Sequence, residues 1–231
     1  MNLLEKEAWI NVVSNEYEEA SPQQVIRLAF EQFPKLTLAC SFGAEDVVLM
    51  DMLYRIKKDA NVFYLDTDFH FRETYETRDR LLKRYPELQI TRVKPRLTPE
   101  EHAEQYGDLL WEKDPNQCCS IRKVPPLTEV LQHYDAWITG IRRDQAPTRA
   151  NAKKVEYDVK FGLVKFNPLA NWKSEDVWSY IRDHDVIYNP LHDNHYPSIG
   201  CHYCTRQVQP GEDPRAGRWA GNEKIECGLH K

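Results

Sequence analysis

Five of the six cysteines are grouped in a way that suggests chemistry. Cys118 and Cys119 are neighbours, Cys201 and Cys204 form a Cys-x-x-Cys, and Cys227 lies four residues from the C-terminus. Cys40 stands alone in an apolar run and reads as a packing residue. Four thiolates suit zinc or an iron–sulfur cluster. Adjacent residues point their side chains apart, which is awkward for one small tetrahedral ion. A cubane offers separate corners, one for each thiolate. The Cys-x-x-Cys spacing fits both metals, so geometry leans towards iron–sulfur and leaves zinc open. The plain alternatives are unligated buried thiols or a strained disulfide between the neighbours. A lone thiol attacks only as thiolate, and an ordinary pKa of about 8.5 leaves little thiolate at neutral pH. Around Cys227 the sequence supplies Arg215, Arg218, Lys224 and His230, which makes it either an activated nucleophile or an incidental terminal thiol.

Three loops could handle anions. Ser41-Phe42-Gly43-Ala44-Glu45-Asp46 lies between an apolar run and an amphipathic one, where backbone N–H groups and a helix N-terminus can cradle an oxyanion. Its one glycine makes the pattern equally compatible with a simple connector. Leu65-Asp66-Thr67-Asp68 offers backbone and a carboxylate to a nucleobase or ribose, or merely an Asx turn. Arg142 and Arg143 follow a buried run, and two guanidinium forks suit phosphate or sulfate. Lys123 places a cation four residues past Cys119. Together these loops describe a site for a nucleotide bearing more than one oxyanion.

The elements that must position these loops alternate. Ser21-Pro22 predicts a helix start, with serine as cap and proline in the first turn. Strands are expected at Leu36–Cys40, Asn61–Asp66, Gln89–Val93 and Ala136–Gly140, with a further one at Leu163–Phe166. Helices are expected after Asp46, from about Phe71 to Arg84, and after Ser174 as a cap. Strands alternating with helices predict an α/β fold with a mostly parallel sheet flanked by helices, and ligand sites at the carboxyl ends of its strands. Beyond Thr205, glycine, proline and charge replace periodic hydrophobics. The expectation is one domain over residues 1–205 and a mobile tail over 206–231 that carries Cys227.

At 231 residues, 41% hydrophobic and 29% charged, the chain has ordinary globular composition. Its net charge of −5 gives no reason to expect a nucleic-acid surface. No apolar run approaches the roughly 20 residues that span a bilayer, and the N-terminus lacks an apolar signal segment. A reducing cytoplasm is therefore expected, where grouped cysteines are more often ligands or redox groups than disulfides.

From about Thr37 to the C-terminus the chain resembles the adenylyl-sulfate (APS) reductases, relatives of the phosphoadenylyl-sulfate (PAPS) reductases. The resemblance rests on Cys118-Cys119-Ser120-Ile121-Arg122-Lys123, Thr139-Gly140-Ile141-Arg142-Arg143-Asp144-Gln145, Ser198-Ile199-Gly200-Cys201-His202-Tyr203-Cys204-Thr205 and Arg215-Ala216-Gly217-Arg218-Trp219, leading to Glu226-Cys227-Gly228-Leu229-His230. It implies an adenine-nucleotide alpha-hydrolase-like fold. It also implies one [4Fe-4S] cluster on Cys118, Cys119, Cys201 and Cys204, and Cys227 as nucleophile. Nucleotide contacts would come from Ser41, Phe42, Gly43, Leu65, Asp66, Thr67, Arg142 and Arg143; Lys123, Arg215, Arg218 and His230 would meet the phosphosulfate. The implied reaction is reduction of APS to sulfite and AMP through an S-sulfocysteine, with thioredoxin or a similar dithiol protein as reductant, in sulfate assimilation. PAPS use, a non-enzymatic iron–sulfur sensor and a structural-zinc module are the rival readings. The family often has glycine where this chain has Asp68. The loop after Cys40 also lacks the Ser-Gly-Gly-x-Asp signature of ATP-cleaving relatives, which argues against a pyrophosphatase or tRNA thiolase.

Overall fold

The computed structural model describes residues 3–222 together with 224, 226, 228 and 229. Cys227 and His230, both expected at the site, lie outside the described residues. Helices α1 (Leu3–Glu16) and α2 (Pro22–Gln32) precede β1 (Leu36–Ala39), α3 (Ala44–Ile56), β2 (Asn61–Leu65), α4 (Arg72–Arg84) and β3 (Gln89–Val93). Four short helices follow: α5 (Pro99–Tyr106), α6 (Leu110–Lys113), α7 (Pro115–Arg122) and α8 (Val124–Leu131). Then come β4 (Ala136–Ile138), β5 (Val155–Asp158), β6 (Leu163–Phe166) and α9 (Ser174–Asp183).

The strands form one six-stranded sheet in the order β3-β2-β1-β4-β6-β5. Every pair is parallel except the β5–β6 hairpin at one edge. Side chains alternate across the pleat and divide the core in two. Leu36, Leu38, Val62, Tyr64, Ala136, Ile138, Val164 and Phe166 join the larger apolar cluster with residues of α1, α2, α3 and α9. Phe63, Trp137 and Leu163 face the other way, onto Leu127 and Leu131 of α8. Burial on both faces explains why these strands read as continuous apolar runs rather than alternating ones.

Ser21 caps α2 as expected: its hydroxyl accepts from Gln24 N, while the Gln24 side chain accepts from Ser21 N at 2.7 Å. Ser174 is not the cap of α9 but its first residue. The Asp176 carboxylate accepts from Lys173 N at 2.8 Å and does the capping from inside the helix. Strand β5 was not foreseen, because the run Val155-Glu156-Tyr157-Asp158 is short and mixed in polarity, as suits an edge.

Residues 206–222 hold no helix or strand, but their backbone is tied to the domain. Arg206 N donates to Gly217 O (2.9 Å), Val208 N to His195 O (2.9 Å) and Trp219 N to Cys204 O (3.0 Å), with the Trp219 ring buried. No helix among the described residues is long and apolar enough to cross a membrane.

Candidate active site

Strand order runs outward from β1 through β2 to β3 on one side and through β4 on the other. The loops after β1, β2 and β4 therefore part at the carboxyl edge, where an open α/β sheet leaves a crevice. A cavity of about 590 Å³ occupies it, lined by Ser41, Gly43, Leu65, Thr67, Lys123, Arg142, Arg215 and Arg218, all residues singled out in the sequence. That volume is within the range of small-molecule sites.

The loop after β1 is shaped by Asp46. Its Oδ2 accepts from both Ser41 N (2.7 Å) and Ser41 Oγ (2.6 Å), and Gly43 N leans on Ser41 Oγ (3.4 Å). The chain turns at Phe42, not at the glycine: Phe42 has φ 63°, and Gly43 keeps an ordinary −72° as the residue before α3. A left-handed phenylalanine is unusual. Its ring is buried against Tyr64, with centroids 5.1 Å apart, and does not line the cavity. The N–H groups of the first turn of α3, starting at Ala44, lack acceptors within the helix and face this end of the site. Burial pushes the Asp46 carboxyl up from 3.8 to about 6, against the lowering effect of the two bonds from Ser41.

In the loop after β2 the expected roles divide. Leu65 and Thr67 line the cavity, but Asp66 is fully buried and turned inward. It accepts from Tyr75 Oη (2.7 Å), Asp68 N (3.0 Å) and Arg92 Nε (2.6 Å), so its carboxylate holds the loop and is not offered to a ribose. Burial raises its pKa, and these bonds outweigh that effect and hold it below the usual range. Asp68 has φ 60°, which accounts for the glycine expected there in relatives. Its carboxylate pairs with Lys94 (2.9 Å) and Arg122 (3.2 Å).

The arginine pair also divides. Arg142 is at the cavity, held by Glu45 (3.0 Å) and Asp144 (2.5 Å). Arg143 points away, donating to Ala152 O (2.7 Å) and pairing with Glu18. Arg142 is extended and Arg143 opens the three-residue 3-10 turn that follows, and the two side chains take different partners. From the last described stretch, Arg218 donates to Ser198 Oγ and Ile199 O (both 3.2 Å) and lies over the Trp219 ring. Its buried Nε has no partner among the described residues. Glu226 and Leu229, on either side of Cys227 in the sequence, also line this cavity.

A second, much smaller cavity adjoins the first and is lined by Cys118, Cys119, Cys201 and Cys204. Phe69, Trp111, Arg122 and Tyr203 complete its wall, with Trp111 and Tyr203 stacked 4.3 Å apart. Helix α7, capped by Asp114 through Asn116 N (3.0 Å) and Gln117 N (2.9 Å), delivers the first two thiols, and a 3-10 turn at His202–Cys204 the others. Burial, then the neighbouring thiols, push Cys118 up to about 12 and Cys204 to about 11, so both stay protonated unless something electropositive binds them. No three of the described His, Cys, Asp and Glu residues are arranged to hold a single metal ion. The two cavities share Thr67, Lys123 and Cys201, and Thr67 Oγ1 lies 3.3 Å from Cys201 Sγ.

Sequence reasoning gave no role to Arg122, Arg149 or Glu226. Arg122 is 2% exposed and donates to Thr67 O through Nε (3.0 Å) and Nη2 (2.8 Å). Arg149 and Glu226 meet across 77 residues; Glu226 opens the segment that carries Cys227, and Arg149 lies four residues past Gln145.

Comparison with known proteins agrees with this arrangement. The model of the phosphoadenosine phosphosulfate reductase domain matches residues 35–207. The chain is 53% identical over 223 residues, 96% of each chain, to adenosine 5'-phosphosulfate reductase of Halalkalibacterium halodurans. It is also 53% identical over 219 residues to that of Shouchella clausii, covering 94% of this chain and 91% of the relative. A crystal structure of phosphoadenylyl-sulfate (PAPS) reductase from Candida auris superposes with a TM-score of 0.75 at 32% identity, covering 86% of this chain and 96% of that one. Its fold is thus the adenine-nucleotide alpha-hydrolase-like one. With more than half of the chain matched by the family model and relatives of this similarity along nearly its whole length, the protein belongs to the phosphoadenosine phosphosulfate reductase domain family.

Proposed function

We propose that the protein reduces adenosine 5'-phosphosulfate to sulfite and AMP, with Cys227 as nucleophile and a dithiol protein such as thioredoxin as reductant. One observation carries the reading. A nucleotide-sized cavity at the sheet's carboxyl edge gathers the Ser41 loop with Lys123, Arg142, Arg215 and Arg218, and it shares a wall with a smaller cavity lined by four thiols.

In the first step the Cys227 thiolate attacks the sulfur of the phosphosulfate. The S–O bond to phosphate breaks, its electron pair leaves with AMP, and an S-sulfocysteine remains. A thiolate of the dithiol partner then attacks the Cys227 sulfur. Sulfite leaves with the S–S electron pair and a partner–Cys227 disulfide remains; the partner's second thiolate attacks the partner's own sulfur, closing its disulfide and releasing Cys227 as thiolate. The first step brings an anion up to an anion, and the cations around the cavity offset that repulsion. The Ser41 loop and the N-terminus of α3 would hold an oxyanion, and the backbone at Leu65 and Thr67 would meet the nucleoside.

The four thiols suit a [4Fe-4S] cluster, whose separate corners accept diverging ligands such as Cys118 and Cys119, better than a single ion. Held by Cys118, Cys119, Cys201 and Cys204, the cluster would tie the two segments that carry them together beside Lys123. Both electrons of the reaction come from thiols. All five described cysteines are unpaired, which fits a reducing compartment such as the cytoplasm.

The APS reading draws on relatives named for it at 53% identity, against a PAPS-named structure at 32%. Anaerobic protein given APS without reductant should carry a sulfonate on Cys227, and a thioredoxin system should then release sulfite. Absence of the adduct would sink the mechanism. A higher kcat/KM for PAPS would change the substrate. Cys201→Ser should lower bound iron and sulfide, and full iron and sulfide content in that variant would remove the cluster assignment.

A further inference from the structure

The structure assigns Glu226 as a positioning residue that locks the C-terminal segment onto the domain, with Arg149, Thr148 and Arg215 as its socket; the role in catalysis rests on the function proposed above. The Glu226 side chain is 3% exposed, although neither it nor its described neighbours Lys224, Gly228 and Leu229 belong to a helix or strand. Its Oε1 accepts from Arg149 Nε (2.7 Å) and Thr148 Oγ1 (3.2 Å), its Oε2 accepts from Arg149 Nη2 (2.9 Å), and Arg215 Nη2 lies 3.5 Å from Oε2. A two-pronged guanidinium–carboxylate pair out of solvent is among the stronger polar contacts a protein makes, and an isolated surface pair would do little.

The socket is specialised for this task. The third arm of the Arg149 guanidinium, Nη1, donates to Gln145 Oε1 (2.5 Å), so the fork is filled by protein and is not held open for a ligand. The same Gln145 oxygen accepts from Arg142 N (3.0 Å), and Gln145 Nε2 reaches Gly140 O (3.4 Å). Docking of Glu226 and the geometry of the loop bearing Arg142 are thus parts of one hydrogen-bonded unit. Weaker contacts flank the carboxylate on both sides. Lys224 Nζ donates to Pro115 O (2.6 Å), Lys160 Nζ donates to Gly228 O (2.5 Å), and Leu229 packs on the Trp137–Leu127 cluster. Of the described residues after Trp219, Glu226 makes the only ion pairs. Glu226, next in sequence to the proposed nucleophile, therefore carries the ion pairs by which the described residues of this segment meet the domain, and breaking them would free those residues.

The test compares wild type with Glu226→Gln by two readouts. The first is independent of activity: tryptic cleavage after Lys224 and alkylation of Cys227, both followed by mass spectrometry. Each should speed up by about tenfold or more, because removing one charge of a buried pair leaves the other unmatched. The second is a split between half-reactions. Single-turnover formation of the S-sulfonate should slow by a similar factor, while thioredoxin-driven release of sulfite from preformed S-sulfonated enzyme should be unchanged or faster. Paired Glu226→Arg and Arg149→Glu substitutions should restore part of the protection. Where Glu226→Gln does not fold, as judged by circular dichroism, Arg149→Lys keeps the charge without the fork and should show the same loss of protection.

Protection and sulfonation rates equal to wild type would overturn the assignment, as would equal slowing of both half-reactions. Failure of wild type to form any sulfonate, with the tail still freed in Glu226→Gln, would remove the proposed reaction and leave the latch standing.

Discussion

Replacing Gly140 by alanine puts a methyl group where the Asp46 carboxylate lies. It would overlap Asp46 Oδ1 and stand 2.9 Å from Glu45 Cβ and 3.3 Å from Asp46 Cγ, where ordinary contacts begin at 3.4 Å. Glu45 Cβ cannot retreat without moving the first turn of α3. The easier response is rotation of Asp46 away from Ser41, which breaks the bonds at 2.6 and 2.7 Å that shape the loop. Overpacking of this kind costs about 1–3 kcal/mol. At roughly 2–4 °C per kcal/mol for a chain of this length, Tm should fall by about 2–12 °C.

Because the distortion falls on the anion loop, AMP and APS should also bind more weakly, by about tenfold for each 1.4 kcal/mol reaching the site. Gly43→Ala is the control. Its added methyl meets Ser41 Oγ at 3.4 Å and Glu45 Oε2 at 4.0 Å, both ordinary contacts, on a backbone that any residue adopts, so Tm and nucleotide affinity should stay close to wild type. Thermal unfolding and isothermal titration with AMP measure both. A Gly140→Ala protein with wild-type Tm and affinity, or equal damage from Gly43→Ala, would refute the role given to the Asp46–Ser41 contact.

Asp46 itself predicts a pH effect. Its folded pKa is raised, so its contribution to stability is full below about 4 and is lost as pH rises to about 6. Denaturant unfolding of wild type should therefore lose stability relative to Asp46→Asn across that window, and a constant difference would contradict it. Asp68→Gly relieves a left-handed backbone worth about 1 kcal/mol but takes a hydrogen-bonded carboxylate from the buried Arg122, worth about 1.5–3. A net Tm loss of a few degrees is expected, and an unchanged or higher Tm would show that the backbone dominates. Asp51 is 4% exposed and accepts from Tyr85 Oη (3.0 Å), Tyr180 Oη (2.8 Å) and Arg55 Nε (2.6 Å). Asp51→Ala leaves two buried hydroxyls without an acceptor and should cost about 2–5 kcal/mol in urea unfolding without changing the cysteine sites; a loss under 1 kcal/mol would refute this.

Strands β1, β2, β4 and β6 were legible because burial writes apolar runs, and the loops at their carboxyl ends were legible because they follow such runs. What stayed hidden depends on side-chain direction. Nothing in Arg142-Arg143 says which of the two faces the cavity; Arg142 pairs with Glu45 and Arg143 with Glu18. Asp66 looked available to a ligand because it ends a strand, yet Arg92 on the neighbouring strand claims it, and that pairing comes from sheet register rather than local sequence. The Arg149–Glu226 pair was invisible for the same reason: Arg149 ends a three-residue 3-10 turn and Glu226 belongs to no helix or strand, which leaves no periodicity to read.

The position of Lys123 follows from the same logic of remote contacts. It follows directly on α7, the helix that presents Cys118 and Cys119, so its location is set by whatever orients that helix. Arg122, just before it, is fixed by two bonds to Thr67 O, and Thr67 in turn touches Cys201. Cys201 pairs through its backbone with His70, while His202 N donates to Phe69 O (2.7 Å). The two thiol-bearing segments and the loop after β2 are therefore one unit, closed through Arg122, Thr67 and Cys201. Any group that binds the four thiols and draws α7 towards the Cys201 turn must also fix the backbone at Thr67 and the cation at Lys123. Binding at the small cavity would thus bear on the large one through the residues the two share, Thr67, Lys123 and Cys201.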